Sequence, residues 1–171
     1  SKGFTCFALA MMVDAGKLNW NDKVRKHIPE FQLAEPWVSE NFTVRDLVTH
    51  RSGMSLGAGD LMFFPEGSDF TTADVIDNVK YLEPESSFRS TFRYNNNMYI
   101  IAGEVLKRVS GMSWEVFIET KIMKRVIITG ATGMVGKGIL LECLDHKSID
   151  EVLVIGRNSV EMIHPKLKEL I

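Results

Sequence analysis

Cysteine is scarce in this chain, and the two present, Cys6 and Cys143, stand one in each half without the paired spacing of a metal site. A disulfide or a zinc centre is therefore not expected, and both read as structural thiols that say nothing of compartment. The four histidines, His27, His50, His146 and His164, are equally scattered. No metal is expected on them, and each reads as a surface or loop-packing residue. An excess of one charge is missing too. The 20 Lys and Arg against 22 Asp and Glu leave a net charge of −2, which gives no footprint for nucleic acid or an anionic membrane surface. No apolar run approaches the ~20 residues needed to cross a bilayer. No charged and then apolar leader opens the sequence, although Ser1 reads as the middle of a longer protein, so localisation stays open. Repeats and low-complexity tracts are absent. What is present, 45% hydrophobic and 25% charged residues in 171, suits a soluble globular chain of one domain or one and a half.

Taken in order, Phe4, Phe7, Ala8, Met11 and Met12 recur at helical spacing up to Gly16, which suits a left-handed cap. Pro29 and its polar neighbours favour a connector. Thr43-Val-Arg-Asp46 sets a capping hydroxyl three residues before a carboxylate and predicts a short helix that stops near Ser52-Gly53. Gly57 to Ser68 reads as a packed loop anchored by Leu61-Met-Phe-Phe64. Thr71-Thr-Ala-Asp74 predicts a capped helix to about Tyr81. A longer one runs from Asn96 to Val109, with Ile100, Ile101, Val105 and Val109 on its buried side and Gly111 at its end. Ser113 caps a last helix that carries Trp114, Phe117, Ile118 and Ile122.

At Lys121-Ile-Met-Lys-Arg-Val-Ile-Ile-Thr-Gly the pattern changes. Arg125 to Thr129 is an apolar β-branched run that opens onto Gly130, Gly133 and Gly136, the order of strand, phosphate loop and helix. A helix from Met134 to Leu144, a strand from Val152 to Ile155 and a closing helix from Pro165 to Leu170 complete a βαβα reading. The sequence thus reads as two incomplete units, 1–122 and 123–171, joined as a natural or artificial chimera.

Three segments of the first unit carry a resemblance: Ser1-Lys2-Gly-Phe-Thr, Leu47-Val-Thr-His-Arg-Ser-Gly-Met54, and Phe92-Arg-Tyr-Asn-Asn96 with Ile101-Ala-Gly-Glu-Val. Residues 1–122 resemble the serine β-lactamase-related hydrolases, the group of class C β-lactamases, penicillin-binding proteins and related esterases and peptidases. The family combines Ser-x-x-Lys at a helix N-terminus, Tyr-x-Asn, and a Lys-Thr-Gly-like strand. The resemblance makes Lys2 the lysine of the first motif and Tyr94 and Asn96 the second. It implies an α-helical lobe, a small-molecule substrate (β-lactam, peptide or ester), no cofactor, and a family often exported. Tyr94 would relay a proton to the leaving group, and Asn96 would hold the lysine and the substrate amide. The spacing has a physical reason, since residues three apart share a helix face and the lysine can take the serine proton. That serine position falls two residues before Ser1. Ser1 itself, one residue from Lys2, points about 100° away on a helix. A Lys-Thr-Gly-like strand is not found in the sequence. The His50-Arg51-Ser52-Gly53 signature reads as structural.

Residues 123–171 are similar to the start of extended or atypical short-chain dehydrogenase/reductases. By that resemblance Gly130 permits the tight turn, Gly133 lets backbone approach a pyrophosphate, and Gly136 allows close helix–strand packing. Arg157, after the second strand, favours the 2′-phosphate of NADP over NAD, bound weakly because the unit has no Tyr-x-x-x-Lys pair and few strands.

The fold expected is therefore mixed: the α-helical lobe of a β-lactamase-like fold followed by a partial α/β Rossmann βαβα unit. The leading function is a fragment of an acyl-serine hydrolase, inactive alone. An NAD(P)-binding reductase- or epimerase-like module and a non-functional chimeric product are the alternatives. Each half exposes apolar faces that its sheet would cover, so self-association is expected.

Overall fold

The computed structural model describes residues 2–63, 69–122 and 124–171. Two compact units divide the chain, residues 1–114 and 115–171.

The first unit is built on helices. They are α1 (Lys2–Asp14), α2 (Val24–His27), α3 (Pro36–Asn41), α4 (Val44–Val48), α5 (Thr72–Asn78) and α6 (Asn97–Ser110), with short 3-10 turns at Asp60–Met62 and Val79–Tyr81. The long helix α6 is the centre, and α1, α2, α4 and α5 pack on it. Its sequence dictates this role: Met98, Ile101, Ala102, Val105 and Leu106 form one fully buried stripe at 3- and 4-residue spacing. Ile100 and Val109, expected on that stripe, lie at its margins and are only half-buried. Gly111, at φ 73, ends the helix in the left-handed conformation.

Both capping patterns form. The Asp46 carboxylate accepts from the Thr43 amide at 2.8 Å and hydroxyl at 2.6 Å, and Asp74 does the same for Thr71 at 2.7 and 2.6 Å. The α4 helix is shorter than expected, ending at Val48 rather than near Ser52-Gly53. His50, at φ 55, turns the chain away.

The buried face of α1 differs from the expected one. Thr5, Ala8, Leu9 and Met12 are buried, whereas Phe4 and Phe7 remain 46% and 56% exposed. One helix buries one stripe, and the two phenylalanines lie on the flank beside it. Trp114 Nε1 donates to Thr5 Oγ1 at 2.9 Å, so the last residue of the unit is fastened to its first helix. The loop expected from Gly57 to Ser68 folds in its first part, with Met62 buried and Leu61 exposed; Phe64 and the residues to Ser68 lie outside the described ones.

The second unit begins within α7 (Trp114–Phe117), which is followed by a turn of π-helix at Ile118–Ile122. It then forms β1 (Arg125–Thr129), α8 (Met134–Asp145), β2 (Glu151–Ile155) and β3 (Leu167–Leu170). All pairings are parallel, in the order β1-β2-β3, with Ile128 opposite Val154 and Val154 opposite Glu169. Ile128, Ala131, Leu140, Leu144, Ile149, Val152 and Val154 form the core under α8.

The helix expected from Pro165 to Leu170 is instead the strand β3, so the order is βαββ and not βαβα. Leu-Lys-Glu-Leu is made of good helix formers, which is why a helix is expected there. The free edge of β2 offers it a backbone ladder, and that tertiary pairing overrides propensity. The face of the sheet opposite α8 is open: Ile127, Ile155 and Leu170 are 65%, 37% and 59% exposed.

Candidate active site

Lys2 stands in the first turn of α1, and Asn96 is the residue on which α6 begins. Packing of these two helices brings the Lys2 ammonium 2.7 Å from Asn96 Oδ1, to which it donates. The amide of Asn96 is oriented from its other side, because its Nδ2 donates to the Asp60 carboxylate at 3.2 and 3.4 Å. A positive and a negative charge thus face the two ends of one amide, which fixes which end is oxygen.

Two aromatic faces complete the surroundings of Lys2. Its ammonium lies 4.7 Å from the ring centre of Tyr94 and 5.3 Å from that of Tyr99, within cation–π reach. The Tyr99 hydroxyl donates to the Val48 carbonyl at 2.8 Å and lies 3.5 Å from Cys6 Sγ. Burial first, and then the Cys6 contact, push this phenol well above its ordinary value, so it stays protonated and holds its ring in place. Tyr94 is 38% exposed and is the phenol open to an incoming molecule.

His50 underlies the cluster. Its ring stacks on Tyr94 with centres 4.5 Å apart and 23° between planes, and it also meets Tyr99 and Phe92. Burial and then the charge of Lys2 lower its pKa from the ordinary 6.5.

The structure therefore gathers Lys2, Tyr94 and Asn96, and adds Asp60, His50 and Tyr99, none of which the sequence singled out for chemistry. Tyr99 had a signal, standing three residues after Asn96 on the same helix face. Asp60 had none, since nothing local says which loop carboxylate will meet an amide 36 positions away.

In the second unit, Gly130 at φ 70 makes the turn after β1, and Gly133 begins α8. The Gly133 amide donates to the Gly130 carbonyl at 3.1 Å. A Cβ on Gly136 would lie 2.1 Å from that same carbonyl oxygen, so only glycine fits. Arg157 is exposed just beyond β2. Among the described residues no group of three or more His, Cys, Asp or Glu could hold a metal ion, and no helix is long and apolar enough to cross a membrane.

The beta-lactamase family matches residues 1–132, a span that runs beyond Ile122 to the glycine loop. The unguisins hydrolase ungD' of Aspergillus campestris is 28% identical over 116 residues, 65% of this chain and 22% of that protein. Penicillin-binding protein 4* of Bacillus subtilis is 29% identical over 131 residues, 71% of this chain and 26% of that protein. The chain thus spans about a quarter or less of the length of these relatives. Among solved structures, the octameric penicillin-binding protein homologue of Pyrococcus abyssi superposes with a TM-score of 0.58 at 30% identity, covering 71% of this chain and 29% of that one. A D-stereospecific amidohydrolase of Streptomyces sp. shares the fold, with a TM-score of 0.60 at 23% identity over 72% of this chain and 39% of that one. With three quarters of its sequence matched and its helical unit superposed on these structures, the chain belongs to the beta-lactamase family of serine hydrolases.

Proposed function

We propose that residues 1–122 carry the acid–base half of an acyl-serine site for amide, ester or β-lactam substrates. The observation that supports it most directly is the 2.7 Å contact of Lys2 with Asn96 beneath the Tyr94 ring. In this reading a serine three residues before Lys2 lies on the same face of α1, and Lys2 as the free amine takes its proton. Tyr94 passes a proton to the leaving group. Asn96 holds the lysine while binding the carbonyl side of the substrate. The name of one relative, an unguisins hydrolase, supports hydrolysis, and that of a structural neighbour, a D-stereospecific amidohydrolase, supports an amide substrate. The site takes no cofactor.

The test is a chain extended by Ser-Xaa directly before Ser1, treated with a fluorophosphonate. Labelling is expected at the added serine, reduced about 100-fold or more in Lys2→Met. Labelling that does not depend on Lys2 overturns the reading.

A second reading concerns residues 123–171, favoured by the positive φ of Gly130 and the approach of Gly136 to its carbonyl. We propose that this segment is a partial dinucleotide unit fused to the hydrolase segment. The order β1-β2-β3 is that of one half of a Rossmann sheet. Amides at the start of α8 would receive the pyrophosphate, and Arg157 the 2′-phosphate of NADP, which would serve as hydride carrier in a complete enzyme of that kind.

A further inference from the structure

His50 grips the segment that carries Tyr94 at two points. Its carbonyl accepts the Arg93 amide at 2.7 Å, and its ring Nδ1 accepts the Asn95 amide at 3.2 Å. Tyr94 lies between the two bonds, with its ring stacked on the imidazole. A non-glycine residue rarely adopts φ 55, and here that conformation lets one residue present both its carbonyl and its ring to the same strand of chain. The residue is 8% exposed and Asn95 is fully buried, so water does not replace either bond.

We propose that His50 is a positioning residue of the Tyr94–Asn96 pair, whose neutral ring holds the Asn95 amide and whose protonation releases it. The inference rests on the reading of Lys2, Tyr94 and Asn96 as the site. The chemistry is that of a lone pair: Nδ1 accepts an N–H only while the ring proton sits on Nε2, and an imidazolium has two donors and no acceptor. Protonation therefore sets N–H against N–H.

The surrounding charges do not compensate. From α1 the charge that acts on it is the Lys2 ammonium, whereas the titratable groups that face it from α6 and from the loop, the phenols of Tyr99 and Tyr94, carry no compensating negative charge. Arg51 is turned to the Arg89 carbonyl and Arg93 to Glu85, while Asp46 of α4 is engaged by Arg89 and Asp60 by Asn96. The direction of the His50 shift, below 6.5, agrees with this setting.

The experiment is a pH titration of the full chain followed by amide and imidazole NMR. The Tyr94 and Asn95 amides are expected to move with one midpoint, equal to that of the His50 ring and below 6.5. In His50→Asn, whose side-chain oxygen takes the place of Nδ1 and whose backbone tolerates positive φ, that titration is lost and the Asn95 amide stays protected from exchange. In His50→Ala the protection is lost. An Asn95 amide that stays still while His50 titrates, or a His50 midpoint at or above 6.5, overturns the proposal. Both can be read in the parent chain even if the variants do not fold. The titration needs no labelling, so its failure leaves lysine-dependent labelling intact, and the converse also holds.

Discussion

Lys2 and Asn96 are 94 positions apart in sequence and 2.7 Å apart in space, and their hydrogen bond joins the first turn of α1 to the start of α6. Because Asp60 holds the far end of the same amide, the pair is oriented before any substrate arrives.

Asn96→Ala is therefore expected to lower stability by about 1 kcal/mol, the lower range for a hydrogen bond to a half-exposed charge. Asn96→Asp keeps a partner for Lys2 but sets a carboxylate against Asp60, and should also destabilise. Urea unfolding of the first unit would show both as shifts of midpoint at constant slope. An unchanged midpoint in Asn96→Ala would mean that the bond contributes nothing.

The unextended chain should form no adduct with a fluorescent penicillin or a fluorophosphonate, because Ser1 stands one residue from Lys2 and not three. Stoichiometric labelling that disappears in Ser1→Ala would contradict this.

Asp46 predicts the acid response. Burial opposes its charge, but hydrogen bonds from Arg89 at 2.8 and 2.6 Å and from Thr43 hold its carboxyl below the ordinary 3.8. A folded value below the unfolded one gives stabilisation that is complete above pH 3.8 and lost as pH falls through the folded value. Arg89→Ala should cost about 1–3 kcal/mol at neutral pH and make the acid limb shallower below pH 3.8. Melting curves across that range measure it; parallel limbs in the two proteins would remove Arg89 from the explanation.

If the glycine loop takes a ligand, weak binding of NADP or its adenosine bisphosphate half should exceed that of NAD. Gly133→Asp would set a carboxylate where phosphate should lie and abolish binding, whereas Arg157→Ala would erase only the preference. Calorimetry distinguishes the two, and equal affinity for NAD and NADP in the parent chain would refute the role of Arg157.

The open sheet face with Ile127, Ile155 and Leu170, together with Phe4 and Phe7 on α1, should bind an apolar dye and drive self-association. Sedimentation of a monomer with no dye signal would show these surfaces to be harmless.

Local chemistry was the legible part of this sequence. The two Thr–Asp caps and the glycine stop at Gly111 depend on neighbours within a few residues, and a reader of the chain can weigh them. The β1–α8–β2 succession was legible for the same reason. The outward turn of Phe4 and Phe7 was not, since the face that α1 buries is chosen by α6. Leu167 to Leu170 became a strand only because β2 left an edge to pair with. Asp60 and His50 reach the candidate site through bonds of long sequence separation, which no periodicity encodes.

The closure of α1 by Asn96 and by Trp114, across 94 and 109 positions, also bears on how the chain is made. On a ribosome adding ~5–20 residues per second, α1 emerges roughly 5–20 s before the helix it packs on. Through that interval the stripe of Ala8, Leu9 and Met12 and the flanking Phe4 and Phe7 lack the helix on which α1 packs. The nascent helix is thus a ready client for a chaperone, and slowing translation between α1 and α6 should lower the yield of folded protein more than slowing it after Trp114.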